Sequence, residues 1–229
     1  MNRLGFSTIG ETASAVKNLR VLGVFTHLSS ADGDDATDRR ITEAQIKNFM
    51  EAELVVKNGK DVPFYAENSA ALIKYGRFFD GARIGIALYG VNPVPGDKTP
   101  LLPVMTFRAA VIAINTVKKG DFIGYSRGYR AKKDMRVAII STGYADGLPR
   151  ALSNKGMIFC NGQFLKIVGK VSMDSVAVDA GDLDVKIMDE VVVFGDEITV
   201  TDVANRADTL PYEILTGVSE RVKRVYKNP

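Results

Sequence analysis

Polar side chains and glycines follow two predicted strands at the points where those strands end. Asn68-Ser69 comes after a strand predicted over 62–66, and Arg83 and Gly85-Ile86 come at the end of the next one. A serine hydroxyl, a glycine that allows close backbone approach and the free N–H groups of a helix start suit a phosphate group. In (β/α)8 barrels such a site is often built from the loops after the last two strands. The pattern thus indicates a phosphate site, with a helix cap at Ser69 and a packing glycine at Gly85 as the alternative.

Histidine and tyrosine side chains could add acid–base chemistry. His27 follows a strand predicted over 21–26, where a structural role is the alternative. Tyr125 and Tyr144 lie beside glycines, in loops where packing is the alternative role. A tyrosine acts as a base only if a nearby cation lowers its pKa from about 10. The spacing alone does not identify that cation.

The elements that must position these residues alternate between helix and strand in the first part of the chain. Helices are predicted over 11–20, from a capping-box pattern at Thr42 to near Gly59, and over 69–75, and a third strand is predicted over 82–84. Alternation of this kind favours a parallel α/β fold.

From residue 96 onwards the pattern changes to strands separated by turns. Asn161-Gly162 is a strong hairpin signal, and Pro211 opens a predicted helix. The strands are predicted over 105–117, 135–140, 157–160, 164–168, 175–178, 190–194, 198–200 and 221–226, with another helix over 201–206. We therefore predict two domains, an α/β domain over 1–95 and a mainly β domain over 96–229.

Composition excludes several classes of protein. The 229 residues carry a net charge of +3, which gives no reason to expect a nucleic-acid or membrane-surface partner. One cysteine, Cys160, excludes an internal disulfide and fits a reducing compartment, and one histidine excludes a His-rich metal site. No apolar run approaches the ~20 residues of a membrane span. These features predict a cytoplasmic protein without a metal site.

Seven motifs, taken in chain order, resemble the alanine racemase family. They are Gly23-Val24-Phe25-Thr26-His27, Asn68-Ser69-Ala70, Arg83-Ile84-Gly85-Ile86-Ala87-Leu88-Tyr89-Gly90, Tyr125 in its glycine-flanked loop, Gly143-Tyr144-Ala145-Asp146-Gly147, Ser172-Met173-Asp174 and Tyr212-Glu213. The resemblance covers essentially the whole chain. One departure is Ile84, where the family usually has proline, and this should alter only the rigidity of the loop. The resemblance implies a (β/α)8 TIM-type barrel followed by a mainly β domain.

The resemblance also implies a pyridoxal 5′-phosphate cofactor and assigns residues to it. Ser69, the backbone of Gly85 and Ile86, and Tyr212 would hold the phosphate group. Arg83 would face the pyridine nitrogen, and His27 and Asn68 would support that arginine and the ring.

A second group of residues is implied on the substrate side. Tyr125 matches the catalytic tyrosine, and the backbone of Met173 would meet the substrate carboxylate. Tyr144 would gate the access channel, and Arg3 would approach the tyrosine and the substrate. In the family two chains form a head-to-tail dimer, so that Tyr125, Met173 and Tyr144 serve the partner's cofactor.

The family's cofactor lysine lies in a motif of the type Lys-Ala-Asn-Ala-Tyr-Gly, which these 229 residues lack. The resemblance makes the strands near residues 21, 62 and 82 the sixth, seventh and eighth of the barrel. We therefore expect a C-terminal portion of the family protein, inactive by itself. An internal methionine taken as the start, a genuinely short product and a deliberately shortened chain stay open as its origin.

Alternatives to alanine racemisation also stay open. A serine racemase of the same family would differ only in small features of its pocket. An amino-acid decarboxylase of the same architecture is disfavoured by the Gly-Tyr-Ala-Asp-Gly and Arg-Ile-Gly-Ile motifs. A non-catalytic remnant or interaction protein is favoured by the missing lysine motif.

The missing motif leads to a first prediction about covalent chemistry. When the chain is mixed with pyridoxal phosphate and reduced with borohydride, no single lysine should be labelled stoichiometrically, because no lysine occupies the family's position. Peptide mapping by mass spectrometry measures the labelling. Stoichiometric labelling of one lysine would contradict the prediction.

Overall fold

The computed structural model describes residues 18, 20–57 and 61–227. Arg3 and nearly all of the helix predicted over 11–20 lie outside the described residues. The chain divides into two compact units, Met1–Leu102 and Pro103–Pro229.

Short parallel strands organise the first unit. Strands β1 (Val24–Phe25) and β2 (Phe64–Tyr65) pair in parallel, and Tyr65 forms a further parallel bridge to Gly81. The strand predicted over 82–84 is wrong, because these residues form no strand and the bridge to Tyr65 lies just before them, at Gly81. The backbone N–H of Arg83 donates to the carbonyl of Glu67 at 2.8 Å. This hydrogen bond therefore joins two loop segments.

Helix α1 (Ala36–Lys57) follows β1 and covers the strands. It begins six residues before Thr42, because the Asp35 carboxylate accepts the N–H of Asp38 at 2.7 Å and caps the first turn. The predicted start at Thr42 is therefore wrong, and Thr42 is buried inside the helix. On the buried face, the ring of Phe49 lies 5.1 Å from that of Phe64, centre to centre, and packs into the core of the unit.

Helix α2 (Ser69–Tyr75) confirms the helix predicted over 69–75. The side chain of Asn68 caps it by accepting the N–H of Ala71 at 2.9 Å. A 3-10 turn, Ile86–Tyr89, follows the bridging segment. Both short elements therefore begin just beyond the ends of the parallel segments.

The second unit is built on a six-stranded antiparallel sheet. Its strands are β3 (Phe107–Val117), β6 (Met135–Ile140), β7 (Met157–Cys160), β8 (Gln163–Lys166), β9 (Val176–Asp179) and β10 (Glu190–Phe194). They lie in the order β8-β7-β10-β3-β6-β9. Ile167, just after β8, forms an antiparallel bridge to Val178 in β9. This bridge brings the two edges of the sheet together. Three predicted strands, 135–140, 157–160 and 190–194, match the observed bounds.

A separate two-stranded sheet, which the sequence pattern did not predict, lies beside this core. Strands β4 (Phe122–Ile123) and β5 (Tyr129–Arg130) pair antiparallel and enclose residues 124–128. The side chain of Ile123 packs with Met135 and Val168 in the core. This small sheet holds both ends of the loop that carries Tyr125.

Helices α3 (Val200–Ala207) and α4 (Pro211–Gly217) complete the unit. The strand predicted over 198–200 is wrong, because Thr199 and Asp202 form a reciprocal capping box that starts α3 at this point. The strand predicted over 221–226 is also wrong. This segment is irregular, and its Arg224 donates to the carbonyl of Val218 at 2.9 Å.

Within residues 20–57 and 61–227, every helix is too short or too polar to cross a lipid bilayer.

The two units should differ in local stability. In the first unit the paired strands are two residues long, and Leu22 and Leu54 are 73% and 80% exposed. Each exposed aliphatic side chain forgoes about 1.5–3 kcal/mol of burial energy. Hydrogen–deuterium exchange should therefore be faster in residues 61–85 than in the six strands of the second unit. Equal protection of the two units would contradict this expectation.

Candidate functional site

Arg83 is held at the end of the parallel segments by residues that follow β1. Its Nη2 donates to the carbonyl of Thr26 at 2.6 Å and lies 3.4 Å from Nδ1 of His27. The guanidinium carbon lies 4.7 Å from the ring centre of Phe25. Because arginine cannot accept a hydrogen bond, Nδ1 of His27 is the acceptor in this contact.

The Nε atom of Arg83 is buried and has no hydrogen-bond partner within the described part of the chain. A buried N–H of a charged group that lacks an acceptor is costly. The atom therefore identifies a place where an acceptor from outside these residues would be stabilising.

Ser69 is buried at the start of α2 and contacts the next loop through its hydroxyl group. Its Oγ accepts the N–H groups of Gly85 at 3.0 Å and Ala87 at 3.3 Å. Both contacts use the oxygen as an acceptor, so the hydroxyl hydrogen can still donate. A Cβ atom added to Gly85 would meet nothing within 4 Å, so the space beside this backbone is open. Ile86 begins the 3-10 turn next to it. This arrangement suits a small anion.

Asn68 links the same region to the loop after β1. While its Oδ1 caps α2, its Nδ2 donates to the carbonyl of Leu28 at 3.2 Å. The structure thus brings His27 to Arg83, and Ser69 to Gly85, as neighbours in one unit. These are the residues that the sequence predicted to lie at strand ends.

Glu67 supports this region and was missed by the sequence analysis. Its side chain is fully buried, and Oε1 accepts the N–H groups of Phe78 and, at 3.0 Å, of Phe79. The carboxylate thereby holds the turn that leads from α2 to Gly81. A glutamate beside a helix cap usually lies in solvent, so the sequence carries no signal of this role.

Tyr125 lies in the loop 124–128 between β4 and β5 and is 72% exposed. It lines a cavity of about 410 Å³ together with residues that include Lys170 and Ser172. The nearest arginine in the sequence, Arg127, is stacked on Phe122 at 5.8 Å. Arg3, the cation implied by the resemblance, lies outside the described residues.

Tyr144 and Met173 lie on two loops that are joined through their backbones. The N–H of Tyr144 donates to the carbonyl of Ser172, and the N–H of Ala145 donates to that of Met173, both at 3.0 Å. A Cβ atom at Gly143 would lie 2.3 Å from the Met173 oxygen, so only glycine permits this approach. Met173 and Tyr144 are about half exposed.

Arg221 ties the outer ends of these two loops together and was also missed by the sequence analysis, which placed it in a strand. Its Nη2 lies 2.7 Å from Asp174, and its Nε lies 3.6 Å from Asp146. The hydrogen bond to Asp174 and the charge of Asp146 raise the pKa of Arg221 above its ordinary value. The other oxygen of Asp146 accepts the N–H of Gly143 at 2.9 Å. The arginine therefore stays charged and supports both loops.

Tyr212 lies on α4, half exposed, and its carbonyl accepts the hydroxyl of Thr216 at 2.8 Å. Just beyond α4, the N–H of Ser219 donates to the carbonyl of Asp146 at 3.2 Å. Tyr212 thus belongs to the second unit, on a helix anchored to the loop that carries Tyr144. In the described residues there is no group of three or more His, Cys, Asp and Glu that could hold a metal ion.

Comparison with known families covers both units. Residues 1–93 match the alanine racemase N-terminal domain, and residues 104–226 match the alanine racemase C-terminal domain. The chain belongs to the alanine racemase family. Its fold is accordingly that of the family, an N-terminal barrel domain followed by a C-terminal β domain.

Relatives with known names and structures agree with this membership. The alanine racemase of Halothermothrix orenii is 36% identical over 225 residues, which are 94% of this chain and 59% of that protein. The structure of the Streptomyces coelicolor A3(2) alanine racemase matches with a TM-score of 0.90 and 30% identity, over 100% of this chain and 63% of that one. The Bartonella henselae enzyme, whose structure carries covalently bound pyridoxal phosphate, matches with a TM-score of 0.87 and 31% identity, over 99% and 62% of the two chains. The chain therefore spans about three fifths of the length of these alanine racemases.

Proposed function

We propose that the protein containing these residues interconverts L-alanine and D-alanine with pyridoxal 5′-phosphate as its cofactor. Membership of the alanine racemase family supports the reaction. The observation that carries the proposal is the buried, unpaired Nε of Arg83, because it calls for a hydrogen-bond acceptor. A serine substrate is the alternative that the experiments must separate.

The residues of the first unit fit the chemistry of this cofactor. The ring nitrogen of a pyridine is a neutral acceptor for the Nε–H of Arg83. Since arginine does not lose its own proton, it would keep that nitrogen unprotonated. The Ser69 hydroxyl and the backbone of Gly85 and Ile86 would hold the phosphate group. His27 and Asn68 would keep Arg83 and the loop after β1 in place.

Tyr125 is the residue that would move a proton during the reaction. When bound, pyridoxal phosphate withdraws electrons and makes the Cα–H of an attached amino acid acidic. The phenol oxygen of Tyr125 would take that proton, or return it, on one face of Cα. The backbone N–H of Met173 would hold the substrate carboxylate, Tyr144 would narrow the access channel, and Arg3 would favour the ionised phenol.

Racemisation needs a second base on the opposite face of Cα. The family places a lysine there, in a motif that these 229 residues do not contain. We further propose the family's head-to-tail homodimer, in which Tyr125, Tyr144 and Met173 of one chain complete the site of its partner. We also propose that the two domains comprise residues 1–95 and 96–229.

The role of Arg83 can be tested without turnover. Pyridoxine 5′-phosphate carries an alcohol in place of the aldehyde, so it binds without a covalent bond to lysine. Arg83→Lys keeps the charge but removes the Nε–H. Calorimetry should show that pyridoxine 5′-phosphate binds about 10- to 100-fold more weakly, which is the effect expected when one charge-assisted hydrogen bond is lost. Arg39→Lys, at an exposed position on α1, is the matched control and should bind like the parent chain. Equal affinity of Arg83→Lys and the parent would contradict the proposed contact.

The role of Tyr125 can be tested in the protein that carries the lysine motif together with these residues. Tyr125→Phe should lower racemisation in both directions by ~10²–10⁴-fold, because each turnover needs one group on each face. Solvent deuterium should still enter the α-position of D-alanine rapidly and that of L-alanine slowly, as followed by NMR.

The same measurement with D- and L-serine separates the two substrate classes. Faster racemisation of serine than of alanine by the unsubstituted protein would favour the alternative function. Equal loss of deuterium exchange for both alanine enantiomers in Tyr125→Phe would mean that Tyr125 holds the site together and does not carry the proton.

A further inference from the structure

Asn154 lies just before β7, in a backbone conformation that few residue types adopt. Its φ angle is +59°, and asparagine is one of the few non-glycine residues that tolerate this left-handed region. The residue is half-buried and follows the 3-10 turn Arg150–Leu152. This conformation lets its side chain reach two other segments of the second unit.

The two ends of the Asn154 amide contact different segments. Its Nδ2 donates to the carbonyl of Gly128, the last residue of the Tyr125 loop, at 3.0 Å. Its Oδ1 accepts the N–H of Gly169 at 2.7 Å, and the segment that begins there continues to Met173. One side chain therefore joins the loop of Tyr125 to the segment of Met173.

These two segments are in close contact beside that bridge. A Cβ atom at Gly124 would lie 3.2 Å from the backbone nitrogen of Lys170, so the loop cannot approach further. Tyr125 and Lys170 both line the cavity of about 410 Å³. A change in the spacing of the two segments would therefore change the shape of this cavity.

The two hydrogen bonds of the Asn154 amide differ in how much they contribute to positioning. The segment of Met173 has a second attachment, because Ser153 Oγ accepts the N–H of Val171 at 3.0 Å. The Tyr125 loop contains Ser126 and Arg127 at φ angles of +54° and +55°, which are unfavourable for these residue types. A strained loop relaxes when an attachment is removed, so the contact with Gly128 is the one that matters most.

We infer that Asn154 is a positioning residue that holds the Tyr125 loop at a set distance from the segment carrying Met173. Its importance for catalysis rests on the proposed function of Tyr125. The positioning itself rests on the two hydrogen bonds of the Asn154 amide.

Two variants of the 229-residue chain separate the halves of the bridge. Asn154→Asp keeps the acceptor for Gly169 and removes the donor to Gly128, whereas Asn154→Gly removes both and keeps the backbone freedom. Asn161→Gly is the matched control, because Asn161 also has a positive φ angle (+46°) and one side-chain hydrogen bond, to Asp189, in the β7–β8 turn.

Backbone NMR supplies the first measurement. In Asn154→Asp, order parameters of residues 125–127 should fall from about 0.85 to below about 0.6, while the Gly169 amide stays protected from hydrogen exchange. In Asn154→Gly, the loop should loosen as well and Gly169 should exchange at least about tenfold faster, in line with loss of a net hydrogen-bond energy. An unchanged loop in Asn154→Asp, or equal loosening in Asn161→Gly, would overturn the inference.

Deuterium exchange of alanine in the lysine-carrying protein supplies the second measurement. Asn154→Asp should slow exchange of L-alanine more than that of D-alanine, because only the Tyr125 face is misplaced. If Tyr125→Phe shows this asymmetry and Asn154→Asp does not, the inference about catalysis fails. If Tyr125→Phe itself lacks the asymmetry, the proposed function of Tyr125 has failed instead.

Discussion

The parallel register around Tyr65 is the constraint on which the first unit depends. Tyr65 pairs with Phe25 on one side and with Gly81 on the other, all in the same direction. Two residues beyond these three partners come His27, Glu67 and Arg83, which therefore reach the same edge of the unit. The hydrogen bond from the Arg83 N–H to the Glu67 carbonyl and the contact between Arg83 and His27 follow from this register. A shift of one residue would separate the polar groups that make the candidate site.

Glu67 and Arg83, which lie at this edge, differ in how well their polar atoms are paired. The carboxylate of Glu67 is fully buried but is satisfied by backbone N–H groups of the following turn, so its role is to hold that turn. Arg83 uses one nitrogen on a backbone carbonyl and leaves Nε unpaired within the described residues. A group that is only half satisfied is costly in a structural role. This contrast is the reason why we propose a supporting role for Glu67 and a ligand-binding role for Arg83.

In the second unit the candidate site residues lie on loops that are held in place by backbone contacts. The loops of Tyr144 and Met173 are joined by main-chain hydrogen bonds that require glycine at position 143. Arg221 and Asn154 then attach these loops to other parts of the same unit. Since Tyr125 is largely exposed and Tyr144 and Met173 are about half exposed, their positions depend on these supports and little on their own burial.

Local patterns were enough to predict the elements whose formation depends on neighbouring residues. The helix over 69–75, the hairpin at Asn161-Gly162 and the strands over 135–140 and 190–194 all follow from turn chemistry and alternation, although the cap of that helix is Asn68 and not Ser69. The motifs around Arg83, Tyr125 and Tyr144 were likewise sufficient to identify the family. The early start of α1 and the capping box at Thr199 were missed although both signals are local. The capping-box pattern at Thr42 indicated a later helix start, and the apolar pattern over 198–200 indicated a strand.

Only the tertiary structure decided which side chains act as supports. Glu67, Asn154 and Arg221 contact partners 11 to 75 residues away in the chain, as in the bonds from Glu67 to Phe78 and from Arg221 to Asp146. A sequence pattern reports what a residue does to its own helix or strand, whereas these contacts depend on how distant loops are folded together. The unpaired Nε of Arg83 belongs to the same class, since a missing partner can be recognised only when all the neighbours are in place.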